Sequence, residues 1–269
     1  MKVSEIMQTE LRDISIDKDR MISDALDIMN KYKSSVLIVT NRGKLVGIVT
    51  EHDIADRLGS SRAGKLKASS LHVSSVMESV KPISPESDVE YAAQKMYEVK
   101  LNGIPIVKDD KLVGLVTYNE LTKLCEKVKT IPVEKIMSKY PKTISPEDRL
   151  VHARNEMFEK NISVLPVIDP NGRIMGILSI GMIARAFAEF RESVPAKHQE
   201  ERLRYILVGD VMEAEPPTIK QNEEIGEAAS LMLSEGLRGI PILDEKDTFT
   251  GIVTKTDMIA LVKNQFQVD

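Results

Sequence analysis

The feature that most constrains this 269-residue chain is that it repeats itself. A Val-x-x-(Ile/Val)-Met pattern occurs at residues 3–7, 73–77, 133–137 and 208–212. Farther along each copy, an apolar stretch leads to a glycine, two aliphatic residues and a hydroxyl residue. These are Gly47-Ile48-Val49-Thr50, Gly114-Leu115-Val116-Thr117, Gly176-Ile177-Leu178-Ser179 and Gly251-Ile252-Val253-Thr254. From Met7 to Gly47, Met77 to Gly114, Met137 to Gly176 and Met212 to Gly251 the separations are 40, 37, 39 and 39 residues. A period held this closely four times marks one supersecondary unit used repeatedly.

Each copy reads in the same order. After the methionine comes a short β-like piece ending in a turn, such as Pro82-Ile83-Ser84-Pro85 or Thr143-Ile144-Ser145-Pro146. An amphipathic helix follows, because Ile22, Ala25, Leu26, Met29 and Tyr32, and likewise Val89, Ala92, Ala93 and Met96, recur at helical spacing. Aliphatic strands are expected at 35–39, 103–107, 164–168 and 239–243. Turn residues such as Asn41-Arg42-Gly43 and Pro170-Asn171-Gly172 make each the first arm of a hairpin. The hydroxyl residue then opens a second helix, as at 53–58, 121–128 and 182–190. The expected fold class is α/β, four tandem β-α-β-β-α units. A unit of about 60 residues buries only about 60% of its unfolded surface and needs a neighbour. The reading is two pairs: 1–127, with copies at about 1–60 and 71–127, and 128–269, with copies at about 131–190 and 206–269. A polar stretch at 59–65 joins the first two copies, and a charged stretch at 191–204 joins the last two.

Composition narrows the function classes. A net charge of −4 lacks the basic surplus of a general nucleic-acid binder. No stretch approaches the roughly 20 apolar residues that span a bilayer, and the start has no apolar run of signal-peptide length, so a cytoplasmic protein is expected. The single cysteine, Cys125, offers neither an internal disulfide nor a thiolate cluster. His52, His72, His152 and His198 stand apart from partners at metal spacing, and no metal is expected.

The opening Val-x-x-Ile-Met, the strand Gly239-Ile240-Pro241-Ile242 and the element Gly251-Ile252-Val253-Thr254-x-x-Asp257 together resemble the cystathionine-β-synthase (CBS) domain family. The resemblance covers essentially the whole chain in four copies. It implies two tandem pairs, or Bateman modules, whose clefts hold AMP, ADP, ATP or S-adenosylmethionine. A four-copy chain without an attached enzyme is similar to the nucleotide-sensing γ subunit of AMP-activated kinase.

The resemblance implies a site where the hairpin gives way to the second helix. A helix N-terminus presents amides and a positive dipole end to phosphate. A threonine hydroxyl can donate to phosphate, and a carboxylate one turn on can accept both hydroxyls of a ribose. Thr50 with Asp53 and Thr254 with Asp257 match that pattern. Thr117 with Glu120 keeps the acid on a longer arm, and Ser179 is followed by Met182, which cannot accept a ribose hydroxyl. The same tetrapeptides read equally as N-terminal capping boxes. Arg238 is the candidate phosphate cation, with Lys33, Lys100 and Asn161 in the comparable regions of the other copies. Ile104 and Ile240, with Ile14, Ile16, Ile83 and Ile219, would flank adenine, or else simply fill the core.

The expected function is a non-catalytic, allosteric energy sensor that binds an adenine nucleotide and signals to an unidentified regulated protein, with a homodimer expected. The alternative is a module for S-adenosylmethionine or methylthioadenosine, which lack phosphates. An enzyme such as an IMP dehydrogenase is disfavoured, since the repeats consume the chain and no nucleophile or acid–base constellation can be assembled. Nucleic-acid binding is disfavoured by charge.

Overall fold

The structure, a computed structural model, describes residues 1–60 and 67–265, so most of the expected linker at 59–65 lies outside the described residues. The first repeat runs β1 (Ser15–Asp17), α1 (Ile22–Lys31), β2 (Val36–Asn41), β3 (Lys44–Thr50) and α2 (Glu51–Gly59). The second has α3 (Val89–Val99), β4 (Gly103–Lys108), β5 (Lys111–Thr117) and α4 (Tyr118–Cys125). Between it and the third body lies β6 (Ser138–Lys139), followed by α5 (Leu150–Lys160), β7 (Val164–Ile168), β8 (Ile174–Ser179) and α6 (Ile180–Ser193). Helix α7 (Ala196–Arg202) and strand β9 (Glu213–Ala214) lead to β10 (Ile219–Lys220), α8 (Ile225–Glu235), β11 (Gly239–Leu243), β12 (Phe249–Thr254) and α9 (Lys255–Lys263). The α-β-β-α order is therefore present four times; the opening β-piece is a strand in the first and fourth copies and a single parallel bridge, at Ile83 and Ile144, in the second and third.

Sheet pairing is the same in each copy. The first β-piece lies parallel to the second across the helix, through Ile16 with Val39, Ile83 with Ile106, Ile144 with Val167 and Ile219 with Ile242. A parallel pair needs such a crossover, and the amphipathic helix supplies it. The second and third strands form the expected antiparallel hairpin. A register shift before its turn recurs at Val39/Thr40, Ile106/Val107, Val167/Ile168 and Ile242/Leu243.

The opening Val-x-x-(Ile/Val)-Met segments do not sit on their own repeats. Val3 and Ser4 donate their amides to Ser87 and Pro85 of the second repeat, and Val73 and Ser74 to Arg20 and Lys18 of the first. Val133 and Glu134 bond to Glu223 and Gln221 of the fourth, and Val208 and Gly209 to Asp148 and Pro146 of the third. The residue after each methionine then pairs antiparallel with the neighbour's last strand, at Gln8–Leu115, Glu78–Ile48, Ser138–Ile252 and Glu213–Ile177. Consecutive repeats thus exchange opening segments reciprocally. The repeated glycine makes this possible: a Cβ on Gly114 would stand 2.8 Å from the Gln8 carbonyl oxygen and from the Met7 sulfur, and one on Gly251 2.7 Å from the Ser138 oxygen.

The chain gathers into two compact units. One comprises Met1–Asp13, Val80–Pro141 and Pro217–Asp269; the other comprises Ile14–Ser79 and Lys142–Pro216. The first therefore carries the bodies of the second and fourth repeats, with α4 and α3 packed on α9 and α4 on α8. The other carries the bodies of the first and third, joined chiefly by α2 against α6. In that second unit Ile54, Leu58, Ile183 and Phe187 are wholly buried within one apolar cluster, so the apolar face of α6 is used inside this unit. The 191–204 stretch, expected as a charged link, is largely helical and docked. Arg191 is 4% exposed and donates to the Leu58 carbonyl at 2.7 Å, while Gln199 bonds the carbonyls of Arg191 and Val194. Polar side chains there satisfy helix-end carbonyls that would otherwise be orphaned.

Candidate functional site

Each hairpin ends on the hydroxyl residue that caps the second helix of its repeat. Thr50, Thr117, Ser179 and Thr254 all have extended backbone, and the next residue begins helical geometry. In the first repeat the Thr50 amide and hydroxyl both donate to Asp53 Oδ2, at 2.8 and 2.6 Å, and the Asp53 amide returns a bond to Thr50 Oγ1 at 3.2 Å. In the fourth, the Thr254 amide and hydroxyl both donate to Asp257 Oδ2 at 2.7 Å. These are capping boxes, and they satisfy helix amides as such boxes do. Yet they use one carboxylate oxygen only. Among the described residues no other residue donates a hydrogen bond to Oδ1 of Asp53 or to Oδ1 of Asp257.

Electrostatics set these two acids apart. Burial pushes the Asp53 carboxyl from 3.8 up to about 6 against the pull of its Thr50 bonds, with the charges of Glu78 and Asp56 adding smaller pushes. Burial likewise raises Asp257 from 3.8 to about 6. A half-buried acid of this kind gains from any ligand that donates hydrogen bonds to it.

The other two junctions differ. Thr117 donates from amide and hydroxyl to Glu120 Oε2 at 2.7 and 2.6 Å, and Gln8 Nε2 donates to the remaining oxygen, Oε1, at 2.6 Å. In the third repeat Ser179 Oγ accepts from the Met182 amide at 3.3 Å, and the Ser179 amide meets only the Met182 sulfur, at 3.4 Å. That junction is capped but carries no acid in the first turn of its helix.

The first-turn amides are less free than a bare helix N-terminus would offer. The Glu51, Ile180 and Lys255 amides already donate to the carbonyls of Ser35, Ser163 and Arg238. This aligns the repeats: Arg238 corresponds to Ser35, Asn102 and Ser163, each directly preceding its strand. Lys33, Lys100 and Asn161 fall two positions earlier, with φ of 48°, 56° and 50°, in the left-handed place that Gly236 fills in the fourth repeat at 75°. They terminate helices, a position that favours residues tolerating this backbone. Arg238 is half-buried, and its charge acts on the Tyr118 hydroxyl against the burial that raises it. Ile104 and Ile240 are buried in their sheets, as are Ile14, Ile16 and Ile219, while Ile83 is partly exposed.

His72 Nδ1 lies 2.7 Å from the Asp19 carbonyl oxygen, and the His52 ring lies 4.0 Å from that of Phe158. Among the described residues no group of His, Cys, Asp or Glu could hold a metal ion, and no helix is long and apolar enough to cross a membrane.

Sequence reasoning missed one class of junction residue. Gln8, Glu78, Ser138 and Glu213 each follow a repeated methionine and pair with the last strand of another repeat, where Gln8 bonds Glu120 and the charge of Glu78 acts on Asp53. The available signal was that a polar residue follows the methionine in all four copies.

A profile described as "CBS domain" matches residues 3–60, 73–127, 133–189 and 208–264. The uncharacterized protein MJ1225 of Methanocaldococcus jannaschii is 24% identical over 96% of this chain and 98% of its own length. Its crystal structure, presented as that of a candidate archaeal homologue of g-AMPK, superposes with a TM-score of 0.81 and 22% identity over 97% of this chain and all of that one. An uncharacterized conserved protein from Pyrococcus horikoshii gives a TM-score of 0.63 with 19% identity over 97% of this chain and all of that one. The inosine-5'-monophosphate dehydrogenase of Korarchaeum cryptofilum is 28% identical over 68% of this chain, which spans only 36% of that enzyme. With its four repeats matched almost end to end, the chain belongs to the CBS domain family.

Proposed function

We propose that this protein is a non-catalytic regulatory sensor that binds an adenine nucleotide, AMP, ADP or ATP, at the strand-to-helix junctions of its first and fourth repeats. The observation that carries the reading is the divided use of Asp53 and Asp257. One oxygen closes the capping box, and the other is left for donors that the chain does not supply among its described residues. A ribose diol brings two hydroxyl donors to that oxygen, and bonds to an ionised acceptor are among the stronger ones. At the fourth repeat Arg238 stands beside the strand and supplies the cation for phosphate. The adenine identity follows the family resemblance and the description given to MJ1225. Binding changes how the repeats contact a regulated partner protein in the cytoplasm, or a second copy of the chain, and the partner's preference feeds back on nucleotide affinity. The consecutive modules, 1–127 and 128–269, are its functional halves in this reading, and no metal takes part.

One observation favours a second ligand class at the first repeat. Ser35 stands where the fourth repeat has Arg238, and Glu78 adds negative charge near Asp53. A cationic adenosyl ligand such as S-adenosylmethionine would also suit that junction.

Calorimetric titration of the full chain with AMP, ADP, ATP and S-adenosylmethionine tests both readings. Asp53→Ala and Asp257→Ala should each abolish one binding equivalent, and Arg238→Ala should weaken AMP while sparing S-adenosylmethionine. Unchanged affinities in both aspartate variants would refute the site.

A further inference from the structure

The four junctions share one backbone plan but differ in the residue that the exchanged opening segment brings to them. Glu78 comes to the first repeat opposite Ile48, Gln8 to the second opposite Leu115, Glu213 to the third opposite Ile177 and Ser138 to the fourth opposite Ile252. The register is identical in all four, because each of those partners directly follows the repeated glycine. The four residues are therefore comparable, and their chemistry decides what each acid can do.

Gln8 alone combines reach with a donor. Its amide nitrogen lies 2.6 Å from Glu120 Oε1, while Thr117 holds Oε2 from both its amide and its hydroxyl. Every bond to the Glu120 carboxylate thus comes from the chain itself. An ionised Glu78 can only accept, so it cannot satisfy Asp53 in this way, and its charge pushes the Asp53 carboxyl up instead. Ser138 is a short side chain that makes no bond to Asp257. The third repeat has no acid for Glu213 to engage.

We infer that Gln8 is a built-in occupant that closes the second repeat's junction to ribose, leaving the first and fourth repeats as the adenylate sites. This rests on the sensor reading above and adds a specificity-determining residue that lies 112 positions from the acid it blocks. A ribose diol entering the second junction would have to displace an amide-to-carboxylate bond, so the exchange gains little. At the first and fourth junctions the same diol meets an oxygen to which no other described residue donates. The closure lies in a side chain and not in the backbone, since the Gln8 amide and carbonyl stay paired with Leu115 at 2.9 and 3.0 Å whatever residue follows Met7.

The test is the number of AMP equivalents bound by the full chain at equilibrium. Wild type should take up one at each of the first and fourth repeats. Gln8→Ala, which removes the donor, should add one equivalent, and the double variant Gln8→Ala/Glu120→Gln should lose it again. Gln8→Glu keeps the length, cannot donate when ionised and mimics the Glu78 arrangement; it should also add the equivalent, which covers the case in which alanine loosens the segment. The same uptake in wild type and in both Gln8 variants would overturn the inference while leaving the first and fourth sites standing. A wild-type equivalent that Glu120→Gln removes would overturn it as well. No AMP bound by wild type or by either Gln8 variant would overturn the sensor reading and this inference together.

Discussion

Replacing the repeated glycine should break the exchange of opening segments, and the cost can be worked from the contacts. A Cβ on Gly47 would collide with the Glu78 carbonyl oxygen and stand 3.1 Å from its carbon. These are backbone atoms, so no rotamer change relieves the overlap. Forcing a methyl into such a contact costs about 1–3 kcal/mol. If the segment lifts away instead, it forfeits the two bonds that Ile48 and Glu78 exchange at 2.9 and 2.8 Å. Each is worth roughly 0.5–1.5 kcal/mol net. Gly47→Ala should therefore destabilise the protein by about 1–3 kcal/mol whichever way it relaxes, a sizeable part of an ordinary domain's stability. Gly172→Ala is the control. Its φ is +80° but nothing lies within 4 Å of its Cβ, so only backbone strain of about 1 kcal/mol is expected. Urea unfolding followed by circular dichroism measures both. A Gly47→Ala midpoint no lower than that of Gly172→Ala would refute the argument that the glycine exists to seat the exchanged segment.

Three further outcomes follow from particular contacts. Arg191→Met should cost about 1–3 kcal/mol in the same assay, because the Leu58 carbonyl loses its buried guanidinium donor. Cys125 is wholly buried, and burial pushes its thiol up to about 12, so a thiol reagent should label the protein only at the rate of unfolding. Adenosine, whose ribose carries no titrating phosphate, should bind more tightly as pH rises through about 6, where Asp53 and Asp257 ionise, and Asp→Asn at both positions should flatten that profile. The stability linkage runs the other way. Both acids have folded pKa values above the ordinary 3.8, so their protonation favours the folded state at low pH, and this contribution is lost as pH rises through about 6.

Much of this architecture was legible in the chain because apolar periodicity and turn residues were consistent with one another. The strands at 164–168 and 239–243 fall where expected, and the capping tetrapeptides mark the starts of α2, α4, α6 and α9. The helix expected over 121–128 begins at Tyr118 and stops at Cys125 instead. Beyond that point the Val128 carbonyl accepts the Gly226 amide from the start of α8, a tertiary contact no local pattern announces. The stretch at 191–204 looked like a solvated link because its charges are dense, yet Arg191 and Gln199 turn inward to helix-end carbonyls. Lys33 and Lys100 were grouped with Arg238 by nearness to a strand. Backbone conformation separates them, since a left-handed residue can be Lys, Asn or Gly without changing the sequence pattern around it. The opening segments were the deepest omission. A repeat seen in sequence suggests a self-contained unit, whereas here Met7 packs on Gly114 and Met212 on Gly176, in each case from another repeat.

A crystal structure of the protein grown with AMP gives the most direct test of the central claim. The account predicts ribose hydroxyls within hydrogen-bond distance of Asp53 Oδ1 and Asp257 Oδ1, with both capping boxes intact and Gln8 still on Glu120. AMP ordered elsewhere, with both aspartate oxygens facing solvent, would contradict it.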